Sequence, residues 1–238
     1  MSEATTRQAY IDRQLQKQGW DQSSCSVIDE FLLISQSENA YGTNKQYVDY
    51  ALMDRAGKPI AIVEAKRTSR DSIAGKRQAS DYADLILERY GIDPFIFLAN
   101  GVETWFWDRA SAPPRRVSGF FTLDDLRRLD YQRRNRQDPT GVPHSKAIVN
   151  RLYQVEAIKR VAEALNQSRR KFLLVMATGT GKTRTAIALI DILMRANWVK
   201  QVLFLADRRE LVRQALGDFK EHLPNQTRAR VEGGEIDL

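Results

Sequence analysis

Three residues of the stretch YVDYALMDRAGKPIAIVEAK (47–66) have the types and spacing for metal-assisted hydrolysis: Asp49, Glu64 and Lys66. Two carboxylates held about 4 Å apart repel by about 4 kcal/mol at an effective dielectric near 20. A pair kept together therefore calls for a cation, and Mg²⁺ suits it, because that hard ion takes carboxylate oxygens and retains several waters. A lysine two residues beyond the second carboxylate can orient or deprotonate an attacking water, the nucleophile of phosphodiester hydrolysis. The same residues on an exposed hairpin edge would be solvated charges and nothing more. Spacing by itself leaves both readings open.

A second constellation is MATGTGKT (176–183). A Gly-rich loop between a buried strand and a helix can cradle phosphates with successive backbone N–H groups and the helix N-terminus. Thr178, Gly179, Thr180 and Gly181 form the loop, with the two glycines allowing close backbone approach. Lys182 reaches the outer phosphates and Thr183 can ligate Mg²⁺. Read strictly as G-x-x-x-x-G-K-[ST], the pattern fails at its first position, where Met176 stands. ATP, with Mg²⁺, is the ligand expected of this loop.

The first site needs a hairpin. Side chains alternate faces along a strand, so Glu64 and Lys66 share one face. With Ala56-Gly57 as turn centre, an even-length loop sets Asp49 directly opposite Glu64, whereas an odd loop would throw it to the other face. A helix is expected over about 72–90, its apolar face marked by Ala79, Tyr82, Ala83 and Ile86. PFIFLANGVETWFWD (94–108) reads as a second hairpin around Asn100-Gly101. A helix over 5–18 should stop at Gly19, and another should start at Thr122 with Asp125 three residues on, an Asp version of the capping box.

The second site needs a strand–loop–helix. KFLLVMA (171–177) and QVLFLA (201–206) read as buried strands flanking a helix over 182–196, a β-loop-α-β order that implies a parallel sheet. The turn-rich RQDPTGVPHS (136–145) marks a boundary. The expected architecture is thus α/β: an α+β domain over 1–140 ending in a basic linker helix, then part of a parallel-sheet domain over 141–238.

The 238 residues carry a net charge of +7, so a polyanionic partner fits. Cys25 is the only cysteine, which excludes an internal disulfide and a cysteine-based zinc cluster. No apolar run approaches a membrane span, the polar N-terminus does not read as a signal peptide, and a reducing cytoplasm is the expected location. Residues 115–136 hold seven Arg against three Asp, a local net of +4; they track a phosphate backbone or form the solvated side of a linker helix. Trp105 and Trp107 share a strand face and are expected to pack rather than to stack on bases. His144 and His222 lack metal-ligand spacing and are expected to be solvated.

Asp49, fourteen residues, then Glu64-Ala65-Lys66 resembles the PD-(D/E)xK nuclease core, with Val48 where the motif's name has Pro. TRQAYIDRQLQKQGW, VDYAL, PIAIVEAK, QASDY and FLANG together resemble the N-terminal nuclease domain of type I restriction enzyme R subunits. That resemblance implies that Gln78 and Tyr82 form a Gln-x-x-x-Tyr pair holding DNA or the site geometry; Tyr82 is equally suited to core packing. MATGTGKT resembles the phosphate loop of superfamily 2 motors with a RecA-like sheet, and RLYQVEAI resembles their adenine-reading segment, with Gln154 as the reader. Asp207 ends an apolar strand as a Walker B acid would, but it lies only 25 residues after Lys182 with no acid following. VLFLADRREL resembles instead the segment that touches the nucleic-acid backbone, through Arg208 and Arg209. The resemblance covers nearly the whole chain and only the front of the family's architecture, so the expectation is an N-terminal fragment with a truncated motor that does not turn over ATP by itself. It implies an ATP-dependent endonuclease and translocase that acts on double-stranded DNA with methylase and specificity subunits. A stand-alone nuclease-helicase and a non-catalytic DNA-binding fragment are the competing readings.

Overall fold

The structure, a computed structural model, describes residues 10–21, 23, 26–34, 45–66, 72–232 and 235–237. Cys25 and residues 5–9 of the expected first helix lie outside them. The chain divides into two compact units, residues 1–131 and 132–238.

The first unit is a six-stranded sheet between helices. Its strands are β1 (Val27–Ile34), β2 (Lys45–Met53), β3 (Pro59–Ala65), β4 (Phe95–Ala99), β5 (Thr104–Trp107) and β6 (Arg115–Val117), in spatial order β1-β2-β3-β4-β5-β6. Only β3 and β4 are parallel. The crossover between them carries a 3₁₀ turn, Ser72–Gly75, and helix α2 (Lys76–Tyr90), so the helix expected from 72 opens with a tighter turn.

Apolar side chains fill both faces. Ile11 at the N-cap of helix α1 (Asp12–Lys17), Leu15 within it, Trp20, and Leu126 of helix α3 (Leu123–Asn135) pack on one face over Tyr50, Leu52, Val63, Phe95 and Phe97. Ala79, Tyr82, Ala83 and Ile86 of α2 cover the other, over Ile62, Ile96 and Leu98. Both β3 and β4 are buried throughout, as parallel strands covered on two sides must be. Trp105 and Trp107 pack against the α2 cluster, as expected. The capping box at Thr122 is reciprocal: the Thr122 Oγ1 accepts from the Asp125 N–H at 3.1 Å, and an Asp125 carboxylate oxygen accepts from the Thr122 N–H at 3.3 Å. Arg109, which sequence did not single out, donates to Asp84 at 2.6 Å and to Asp93, tying α2 to the approach to β4.

The second unit joins helices α4 (Leu152–Asn166), α5 (Lys182–Arg195) and α6 (Arg209–His222) through Ile158, Ile187, Ala188, Ile192 and Phe219. A short hairpin, β7 (Arg230–Glu232) with β8 (Glu235–Asp237), follows. The parallel strands expected at 171–177 and 201–206 are not there: neither stretch joins a ladder. Leu173, Val175, Leu203 and Leu205 are each three-quarters exposed or more. A ladder requires a neighbour, and strands that follow one another in sequence are adjacent in only about two-thirds of cases. These two stretches do not serve as each other's neighbour. His222 is also not solvated; its ring is 7% exposed, at the end of α6.

Candidate functional site

The hairpin reaches the expected register by an unexpected route. Asp54 N–H donates to Lys58 C=O at 2.8 Å, and the Asp54 carboxylate accepts from Ala56 and Lys58 N–H. The loop is therefore Arg55-Ala56-Gly57, with Gly57 at φ 71°, and its length is odd. The pairing then shifts between Met53–Pro59 and Leu52–Ala61. Ile60 is the extra residue of a β-bulge, and it restores the register an even loop would have given.

That register runs through Leu52–Ala61, Ala51–Ile62 and Tyr50–Val63. It stops one pair short of Asp49–Glu64, because β1 and β2 change face there. Val27, Tyr50 and Leu52 lie in one core cluster, whereas Leu33 and Val48 lie in the other. Residues separated by even numbers in a regular strand share a face, so both strands turn over at Glu30 and Asp49. Glu30 carries the necessary irregularity, with φ at +47°. The Asp49 carboxylate is thereby directed to the end of β3, where its Oδ2 accepts the Ala65 N–H at 2.7 Å. It caps the strand at the residue after Glu64.

Glu64 is 2% exposed, and the Lys66 Nζ lies 2.6 Å from its Oε1. Truncating one partner of such a buried pair costs about 3–5 kcal/mol, because it strands the other charge. Lys66 Nζ also donates to Gln78 Oε1 at 3.5 Å, and Gln78 Nε2 donates to the Tyr82 hydroxyl at 2.5 Å. Gln78 and Tyr82, one turn apart on α2, are thus joined to Glu64 through the lysine. Tyr82 serves the core as well, at 6% exposure. Gly75 closes the site: a Cβ there would stand 2.7 Å from Glu64 Cγ and 3.0 Å from Lys66 Cε. Sequence reasoning passed over Gly75, whose neighbours come from a different strand. Among the described residues no group of three or more His, Cys, Asp or Glu side chains is arranged for a metal. The candidate donors are two carboxylates, Asp49 bonded at Ala65 and Glu64 one residue before it, and carboxylate oxygens suit a hard cation that keeps its waters.

In the second unit, Gly179 and Gly181 take φ 78° and 83°, and α5 starts at Lys182. Lys182 Nζ donates to Ala177 C=O at 3.1 Å and Met176 C=O at 3.4 Å, and Thr180 Oγ1 donates to Ala177 C=O at 2.6 Å. The lysine thus lies folded over its own loop. Gln154 is 4% exposed, and its Nε2 donates to Thr180 C=O at 3.1 Å. Tyr153, not foreseen, donates its hydroxyl proton to the same carbonyl at 2.9 Å. A Cβ on Gly181 would meet Gln154 Nε2 at 2.5 Å. Gln154, Gly179 and Gly181 line a cavity of about 450 Å³ with Ile148, Asn150, Arg151 and Arg184. Thr178 lies in this loop, and Thr183 is in the first turn of α5. Asp207 is far more exposed than a metal-ligating acid of a formed sheet, at 78%, with Arg208 3.9 Å away.

Residues 27–115 match the family model of the type I restriction enzyme R protein N terminus, and residues 147–237 match that of the type III restriction enzyme res subunit. The chain belongs to the type I restriction enzyme R-subunit family. The first match spans β1 to the start of β6, the second the phosphate loop and its helices. Among curated relatives, the EcoAI endonuclease subunit of Escherichia coli is 32% identical over 79% of the chain, and the EcoKI endonuclease subunit of E. coli K12 is 28% identical over 89%. The chain spans about a quarter of the length of each. A solved fragment described as an HsdR subunit of a type I restriction enzyme from Vibrio vulnificus YJ016 is 29% identical, covers 84% of this chain and 39% of that one, and superposes with a TM-score of 0.47. No helix among the described residues is long and apolar enough to cross a membrane.

Proposed function

We propose that this R-subunit segment hydrolyses phosphodiester bonds of double-stranded DNA at Asp49, Glu64 and Lys66, and binds ATP at the loop 178–183. The observation that carries the first half is the chain of bonds from Glu64 through Lys66 and Gln78 to Tyr82, with the Asp49 carboxylate fixed at Ala65 beside it. Asp49 and Glu64 are the residues to hold Mg²⁺, which when bound polarises a phosphate oxygen. Lys66, steered by Gln78, orients the attacking water through the N–H groups of its ammonium that the Glu64 pair leaves available. Tyr82 roots Gln78 in the core, so the lysine's reach is set by packing rather than by solvent.

For ATP, Lys182 releases the Ala177 and Met176 carbonyls to reach the outer phosphates. Thr183, with its hydroxyl at the helix N-terminus, is the Mg²⁺ ligand of this site. Gln154 keeps one amide hydrogen and its carbonyl oxygen for the adenine edge while its other hydrogen holds Thr180. In the restriction system the nuclease acts with methylase and specificity subunits in the cytoplasm, and ATP-driven translocation supplies the DNA.

The test is cleavage of plasmid DNA with Mg²⁺ or Mn²⁺ by the wild-type chain and by Asp49→Ala and Lys66→Ala. Both variants should lose cleavage while retaining DNA binding. Wild-type cleavage by both would remove the assignment. Lys182→Ala should abolish nucleotide binding and leave the metal-dependent reaction of the first unit intact.

A further inference from the structure

The register of the sheet aligns the end of β3 with a cavity three strands away. Ala65 pairs with Ala99, and Lys66 N–H donates to Ala99 C=O at 2.8 Å. Ala99 pairs with Thr104, and Thr104 with Val117. These residues form one row across the sheet; Ala65, Ala99 and Val117 of the row lie on the α1 face, whereas the Glu64 and Lys66 side chains on either side of Ala65 leave β3 on the α2 face, beside Gln78 and Tyr82. Thr104 and Val117 line a cavity of about 610 Å³ at the β5–β6 end of this row.

The cavity has the chemistry of an anion site. Lys17 and Arg116 supply two cations, Thr104 and Ser118 two hydroxyls, and Gln14 and Gln18 two amides. None of its described lining residues is acidic. Gln14 Nε2 donates to Gly101 C=O at 3.3 Å, which ties α1 to the β4–β5 turn. Arg116 is engaged with Glu103 at 3.1 Å, in a pair whose arginine is 64% exposed. An exposed pair of this kind adds little stability, because solvent screens it. A phosphate, which takes an arginine's parallel N–H donors in the same geometry as a carboxylate, can replace Glu103 at little cost.

We infer that this cavity holds a backbone phosphate of the DNA whose scissile bond lies at Glu64 and Lys66. This rests on DNA being the substrate of that site. Strands lie about 4.8 Å apart, so three steps from β3 to β6 span about 14 Å. That is the spacing along the sheet only; the two sites open on opposite faces at the same strand ends, so a duplex reaches both by lying across those ends. The site positions the duplex along the strand ends and takes no part in the chemistry. It binds phosphate, so it is indifferent to base sequence.

The experiment measures binding of a short labelled duplex to the full chain in Ca²⁺, as a function of salt, and cleavage separately in Mg²⁺. The variants are Lys17→Ala with Arg116→Ala, and Arg116→Lys alone. The double variant should bind about ten-fold more weakly at low salt. Its slope of log K against log salt should become shallower by about 0.9 for each phosphate that is no longer neutralised. KM for cleavage should rise with kcat unchanged at saturating DNA, and Arg116→Lys should keep most of the wild-type slope. An unchanged affinity and slope in the double variant would overturn the inference. So would a labelled 5′-nucleoside monophosphate that binds the wild type as tightly as the duplex and depends on Lys17 and Arg116, because the cavity would then serve a free nucleotide. If Asp49→Ala and Lys66→Ala still cleave while the double variant shows the shallower slope, the catalytic assignment fails and the phosphate subsite stands.

Discussion

Replacing Gly75 with alanine should disable the Glu64–Lys66 site, for which we propose Mg²⁺-dependent cleavage, without unfolding the first unit. Gly75 sits at φ −83° and ψ 1°, a conformation alanine accepts, so the backbone is not the obstacle. The obstacle is space: the added methyl would stand 2.7 Å from Glu64 Cγ and 3.0 Å from Lys66 Cε. Non-bonded carbons rest at about 3.5–4.0 Å, so both side chains must retreat by roughly 1 Å. Glu64 is 2% exposed and Lys66 is bonded to it, so the retreat pushes into packed core. Overpacking of this kind costs about 1–3 kcal/mol. A misplacement of about 1 Å at a reacting group costs about 100-fold in rate. We therefore expect plasmid nicking in Mg²⁺ to slow by about 30- to 100-fold in kcat. The urea midpoint should drop by an amount matching no more than the overpacking cost, and duplex binding in Ca²⁺ should survive. Nicking within about three-fold of wild type, less than 1 kcal/mol of barrier, would refute the premise that Glu64 and Lys66 act from the positions Gly75 allows them.

Three further outcomes follow from the geometry. Lys66→Ala should destabilise the first unit by up to about 3–5 kcal/mol by leaving Glu64 uncompensated, and Glu64→Gln with Lys66→Met should recover stability in urea unfolding but not cleavage. Amides of 171–176 and 201–206, which join no ladder, should exchange with deuterium far faster than those of β3 and β4; equal protection would show that a sheet forms. The Asp138 carboxyl is held below the usual carboxylate range by hydrogen bonds from the Thr140 hydroxyl, then from Asn166 and the Thr140 N–H. Its contribution is complete above the unfolded carboxyl's pKa and lost as pH falls through the lowered folded value, so wild type and Asp138→Asn should converge in thermal stability at strongly acid pH and differ at neutral pH.

Much of this was legible in residue types. The period of Ala79, Tyr82, Ala83 and Ile86 marked the buried face of α2, and the Thr122–Asp125 spacing marked the start of α3. Gln78 and Tyr82 were found through their spacing within a resemblance, and they do meet. What was not legible depends on partners remote in sequence. Gly75 matters because a strand ten residues earlier passes over it. The Tyr153 bond to Thr180 joins residues 27 apart. The bulge at Ile60 and the reversal of faces at Glu30 and Asp49 leave no mark in an alternating pattern. Apolar runs at 171–177 and 201–206 have strand composition, but composition cannot supply the neighbouring strand.

The fourteen residues between Asp49 and Glu64 divide into those that are matched across the ladder and those that are not, and this bears on how the hairpin can change length over evolution. Arg55-Ala56-Gly57 and Ile60 are unmatched: shortening the loop leaves Asp54 facing Lys58, and deleting Ile60 leaves Leu52 facing Ala61. Neither change moves residue 49 relative to residue 64. A residue inserted between Asp49 and Asp54, or between Ala61 and Glu64, has no such freedom, because it must be matched on the facing strand or expelled as a further bulge. Homologous hairpins should therefore vary in length at the turn and at the bulge, by odd or even numbers, and stay constant in the segments that flank the two acids. The turn and the bulge are the places where this hairpin can absorb insertions without disturbing the site it serves.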